Sequence, residues 1–108
     1  MKPPFHAVIT GASGGIGRAV SVHLARQYDA RLLLVYHQNL TAAESCRDEI
    51  RTIGGDAETL CCDLADPKQQ PALVARAFEK LDRIDAWIHL AGIDVLTGDA
   101  AKWDFETK

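Results

Sequence analysis

The 108-residue chain is 47% apolar and 25% charged, a balance that fits one soluble folding unit and leaves no room for two independent cores. Its 15 acidic and 12 basic side chains give a net charge of −3, so no broad positive field exists to hold a nucleic-acid backbone or an anionic membrane surface. The longest apolar runs, such as Leu32 to Val35, are far shorter than the roughly 20 residues of a bilayer-spanning helix, and Met1-Lys2-Pro3-Pro4 lacks the form of a secretory signal. The expected compartment is the cytoplasm.

In chain order, Phe5 to Thr10 reads as a first strand and Gly14 to Tyr28 as a helix, with Ile16, Ala19, Val20 and Leu24 on its apolar face and His23 beside them. Arg31 to His37 reads as a second strand. Its Leu-Leu-Leu-Val run has no polar alternation, the pattern of a strand covered on both faces and hence of a parallel sheet between helices. Thr41-Ala42-Ala43-Glu44 has the form of a capping box, and Ala43, Cys46, Ile50 and Ile53 continue a second helix that Gly54-Gly55 ends.

Ala57 to Cys62 forms a third strand, and Asp66-Pro67 reads as the N-cap and first position of a third helix with Val74, Ala77, Phe78 and Leu81 as its buried stripe. Asp85 to Leu90 is a fourth strand, and a further helix start is expected at Thr97 or Asp99. Right-handed crossovers turn this βαβαβαβ order into a sheet of order 3-2-1-4, an α/β fold of the Rossmann type: a partial doubly wound parallel sheet with three helices and the beginning of a fourth, in one domain spanning residues 1–108.

Cys46, and the neighbours Cys61 and Cys62, suit neither a disulfide framework nor a tetrahedral metal site and are expected to be buried small hydrophobes. His6, His23, His37 and His89 contain no i, i+4 pair and no finger spacing, so no metal is expected.

The segment richest in chemistry is Thr10-Gly11-Ala12-Ser13-Gly14-Gly15-Ile16-Gly17, set between the first strand and the first helix. Glycines there let the backbone turn tightly and approach a pyrophosphate, while the amides and dipole at the helix N-terminus meet its charge. Gly11, Ser13, Gly14, Gly15, Ile16 and Gly17 are therefore candidate cofactor contacts. A second strand ends about 20 residues on, where a ribose-recognising side chain is expected.

Thr10-Gly11-x-x-x-Gly15-x-Gly17 resembles the cofactor signature of the short-chain dehydrogenase/reductases, and the likeness extends over nearly the whole chain. By that resemblance Asp63 of Cys62-Asp63-Leu64 would accept a hydrogen bond from the adenine amino group, and the Leu64 amide would donate to the ring. A turn or capping role for Asp63 is the alternative. Ala91-Gly92 resembles the end of the family's Asn-Asn-Ala-Gly motif, whose backbone lies along the cofactor ribose, but His89-Leu90 stand where two asparagines are usual. His89 is expected to be a core histidine rather than a tie between strands.

At the end of the second strand, Tyr36-His37-Gln38-Asn39 offers no carboxylate to pair with a free ribose 2′-hydroxyl or to repel a 2′-phosphate. NADP is the expected cofactor, with NAD less favoured, and Ser13, Tyr36, His37 and Asn39 are the candidate contacts. The run from Val35 to Asn39 resembles that of NADP-dependent reductases acting on carbonyl or pterin substrates.

The family transfers hydride with a Tyr-x-x-x-Lys pair, yet here Tyr28 is followed four positions on by Leu32 and Tyr36 by Leu40, so no catalytic residue is assigned. The resemblance implies a parent polypeptide more than twice as long, of which this chain would be the first half, acting on a small-molecule carbonyl or alcohol. Trp87, Ile88 and Leu90 beside an unpaired strand edge predict self-association into a homo-oligomer, or else a dynamic monomer. A non-catalytic NADP(H)-sensing module, or a half-fold without useful affinity, are the alternatives.

Overall fold

The computed structural model describes residues 2–12 and 14–90. Seven elements alternate: β1 (Pro4–Thr10), α1 (Gly15–Gln27), β2 (Asp29–Tyr36), α2 (Leu40–Thr52), β3 (Asp56–Cys61), α3 (Gln70–Leu81) and β4 (Ala86–His89). Their four strands form one parallel sheet of order β3-β2-β1-β4, as the sequence predicts. The expected further helix start at Thr97 or Asp99 lies outside the described residues.

The unbroken apolar run in β2 has the predicted cause. Ala30, Leu32 and Leu34 enter a core on one face with Ala7 and Ile9 of β1, while Leu33 and Val35 enter a second core on the other with Val8. Val22 and Ala25 of α1 and Cys46 and Ile50 of α2 close the first core; Leu73, Ala77 and Leu81 of α3 close the second. The chain changes face after β3 because β4 must return to the far side of β1 by a crossover of the same hand.

Several local expectations are corrected. On α1 the buried face is Gly17, Ser21, Val22 and Ala25, whereas Ile16, Ala19 and His23 are exposed and Val20 and Leu24 half-buried. Small residues at i, i+4, i+8 let α1 lie close on the sheet, and a reading that follows the largest apolar side chains misses such a face. The buried Ser21 hydroxyl is satisfied by the Gly17 carbonyl at 2.7 Å. On α3, Leu73 joins Ala77 and Leu81 inside, while Val74 and Phe78 stay exposed at 45% and 51%.

The helix starts differ too. Asn39, not Thr41, caps α2, its Oδ1 accepting from the Ala42 amide at 3.0 Å. Asp66 closes a turn onto the Lys68 amide at 3.0 Å, and the helix itself begins only at Gln70, with Pro71 in its first turn. Gly54 does end α2 as expected: at φ +98° it directs its amide to Arg51 O and that of Gly55 to Ile50 O, the paired bonds of a Schellman motif. Of the cysteines, Cys46 and Cys62 are buried but Cys61, the last residue of β3, is exposed.

Candidate functional site

The sheet positions the site by bringing the C-terminal ends of β1, β2 and β3 to one edge. The turn after β1 is pinned to β2, since the Gly11 and Ala12 amides both donate to Val35 O, at 3.1 and 3.5 Å. Gly11 has φ +79°, a left-handed conformation that a side chain would strain, and its carbonyl accepts the Gly14 amide at 3.2 Å. Gly14 O then accepts the Arg18 amide at 3.0 Å, opening α1.

Gly17 is required by packing. A Cβ there would overlap the Gly11 carbonyl and stand 2.7 Å from Ala12 Cα. At Gly15 a Cβ would meet nothing within 4 Å, so nothing in the described fold demands glycine at that position. A glycine left free beside a helix N-terminus suits close backbone approach by a ligand.

An open cleft of about 420 Å³ lies between the turn and the ends of β2 and β3. Gly11, Gly14, Tyr36, His37, Asn39, Asp63 and Leu64, all named from the sequence, line it together. So do Val35, Gln38, Cys62 and Ala65, which sequence reasoning did not single out; their position beside Tyr36-His37 and Asp63-Leu64 was the available signal. Gly15, Ile16 and Gly17 lie on the first turn of α1 outside this lining, with Ile16 exposed at 52% and Gly17 buried. Ser13, Ala91 and Gly92 fall outside the described residues.

The cleft walls are held by local bonds. Asp63 Oδ1 accepts from the Ala65 amide at 2.9 Å, so the turn role weighed for this aspartate is present. The other carboxylate oxygen, Oδ2, stands 3.8 Å from His37 Nε2. Gln69 Oε1 accepts the Asp63 amide at 2.8 Å, and Gln70 Nε2 donates to Leu64 O at 3.0 Å, tying the loop to the start of α3. Asn39 spends its side-chain oxygen on the α2 cap, which leaves its amide donors for the cleft side and puts the positive end of the α2 dipole at the rim.

Burial pushes the Tyr36 phenol up from its ordinary range, helped by the neighbouring Cys61 and Glu44, so it remains protonated at neutral pH. Burial likewise raises the Cys62 thiol, with Cys61, Asp63 and Asp66 adding to the effect. Neither group is set up as a nucleophile or base.

Beyond the cleft, His89 corrects an expectation. It is an exposed residue rather than a core one, and its Nδ1 stands 2.7 Å from Thr10 Oγ1, joining β4 to β1. Trp87 is 38% exposed, and β4 has no strand on its outer edge among the described residues.

Comparison with known proteins adds a family to this geometry. A family model described as short chain dehydrogenase matches residues 5–107. The short chain dehydrogenase asqE of Emericella nidulans is 38% identical over 99 residues, covering 91% of this chain and 34% of that protein. An L-rhamnose 1-dehydrogenase (NAD(P)(+)) of Sphingomonas is 37% identical over 86 residues, covering 80% of this chain and 34% of that protein. Among solved structures, a hydroxysteroid dehydrogenase from Escherichia coli superposes with a TM-score of 0.71 at 32% identity, covering 79% of this chain and 35% of that one. The chain thus spans about a third of the length of the relatives it matches.

Proposed function

The chain belongs to the short chain dehydrogenase family, and from that premise we propose that its 108 residues form the dinucleotide-binding part of an NADP-preferring oxidoreductase. The activity is hydride transfer between the nicotinamide cofactor and a small-molecule carbonyl or alcohol. One observation carries the reading: the glycine turn, the carboxylate-free end of β2 and the Asp63-Leu64 loop converge on one cleft at the C-terminal edge of a parallel sheet. Ligands of open α/β sheets bind at that edge.

Each wall then has a part. The amides from Gly11 to Gly17, with the positive end of α1, hold the pyrophosphate, and Gly15 permits its close approach. Ser13, by its place in the glycine-rich sequence, is assigned to the same phosphate. Tyr36, His37 and Asn39 take the 2′-phosphate, aided by the α2 N-terminus. Asp63 Oδ2 accepts from the adenine amino group while Oδ1 stays on Ala65, and the Leu64 amide donates to the ring. Ala91-Gly92, by the resemblance to the family motif, are assigned to the ribose. The bound cofactor supplies the hydride, and this chain's residues bind and orient it.

With no Tyr-x-x-x-Lys among the 108 residues, this reading gives the chain cofactor binding and has the acid/base group supplied from outside them. Cytoplasmic residence and assembly into a homo-oligomer complete it; the second is supported by the exposed Trp87 and by the outer edge of β4, which no strand covers among the described residues. Calorimetric titration of the chain with NADPH and NADH tests the core of it. Saturable binding of both, tighter for NADPH, is expected; tighter binding of NADH would overturn the cofactor preference, and no binding of either would overturn the whole.

A further inference from the structure

Among the described residues lining the cleft there is no lysine or arginine, and His37 is the one side chain that can carry positive charge. The rest of that described lining is anionic or neutral. Asp63 faces it from the loop after β3, Nε2 to Oδ2 at 3.8 Å. From β3 itself Cys61 donates its thiol to His37 O at 3.4 Å, and Cys62 lies in the same lining. Tyr36 precedes it on β2, and Glu44 of α2 bears on that phenol.

Imidazole is the side chain whose charge changes between about pH 5 and 8. When it is neutral, the Asp63 carboxylate leaves the adenosine end of the cleft negative, and a dianionic phosphate is repelled. When it is protonated, the imidazolium balances Asp63 and offers a charge-assisted hydrogen bond to an incoming phosphate. A cofactor without the 2′-phosphate gains nothing from that second partner.

We infer that the His37–Asp63 pair spanning the cleft makes the preference for a 2′-phosphorylated dinucleotide conditional on pH, with His37 as the specificity-determining residue and Asp63 as its counter-charge. The inference rests on the nucleotide reading above. Linkage makes it reciprocal: phosphate binding favours proton uptake at His37, and the proton favours the phosphate.

The test is calorimetric titration of the full chain with NADPH and with NADH at about pH 6 and pH 8, in the wild type, His37→Gln and His37→Arg. His37 is more than half exposed, so neither substitution disturbs the core. The wild-type preference for NADPH should be roughly tenfold larger at the lower pH, the gain expected of one charge-assisted hydrogen bond. His37→Gln should lose that gain, and His37→Arg should keep a strong preference at both pH values. Protonation of the phosphate itself is common to all three proteins and cancels in the comparison. An equal pH dependence in wild type and His37→Gln, with both nucleotides binding, would overturn this inference alone; absence of binding at either pH would overturn it together with the nucleotide reading.

Discussion

His89 Nδ1 and Thr10 Oγ1 meet at 2.7 Å and join the C-terminal ends of β4 and β1, at the point where the strand order turns back. A family asparagine is usual at position 89, and a histidine ring nitrogen makes the cross-strand contact here. His89→Ala should destabilise the chain by about 1 kcal/mol, the net value of one such bond, and His89→Asn should recover part of it. Urea unfolding midpoints of the three proteins check this.

Gly17 against Gly11 is a tighter constraint. Adding one methyl at Gly17 sets it on the Gly11 carbonyl and against Ala12 Cα, so the turn or the helix must shift. Gly17→Ala should cost about 1–3 kcal/mol, the usual range for overpacking, and weaken dinucleotide binding because the phosphate-facing amides move with the turn. Gly15→Ala meets open space and should leave stability within about 1 kcal/mol while still weakening binding. Thermal denaturation paired with NADPH titration separates the two effects.

Asp85 makes the amino end of β4 acid-sensitive. The His6 amide donates to its Oδ2 at 2.8 Å, which holds the carboxyl below its usual range; burial opposes this and Arg83 assists it. A depressed folded-state pKa means that the stabilisation is complete above the unfolded value of about 3.9 and is lost as the pH falls through the folded value. Wild type should exceed Asp85→Asn in stability at neutral pH, with the gap closing below about pH 4. Equal gaps across an acid titration of urea midpoints would contradict the assignment.

Asp82 ends α3 at φ +62°, with the Arg83 amide bonded to Leu81 O at 2.6 Å across a three-residue turn. That conformation strains any residue with a Cβ. Its ion pair with Arg31, at 3.9 Å and largely exposed, contributes little in return. Asp82→Gly should therefore raise stability by up to about 1 kcal/mol, measured by thermal unfolding.

The sheet was legible because β2 carries a signal that few other structures share: Leu32 to Val35 are apolar at every position since both faces are covered. The turn was legible because Gly11 and Gly17 answer to geometry that only glycine satisfies. Helix faces were less so. The close-packing side of α1 is built from Gly17, Ser21 and Ala25, which hydrophobicity ranks below the exposed Ile16. Capping was misplaced at α2 because Thr41 and Asn39 both satisfy the local rule, and only the path of the chain from β2 decides between them. In the site, residues were found where they bear a recognisable group, as His37 and Asp63 do. Val35 and Cys62 were not assigned as contacts because they line the cleft by position at the strand ends rather than by a group that recognises a ligand.

Amide-resolved NMR of the full chain titrated with NADP tests the phosphate cradle most directly. Saturable shifts are expected at the amides of Gly11, Gly14, Gly15, Ile16 and Gly17, and at His37, Asn39 and Leu64, with Val74 and Phe78 on the outer face of α3 unmoved. Saturable binding that leaves the turn from Gly11 to Gly17 unperturbed would contradict the proposed site.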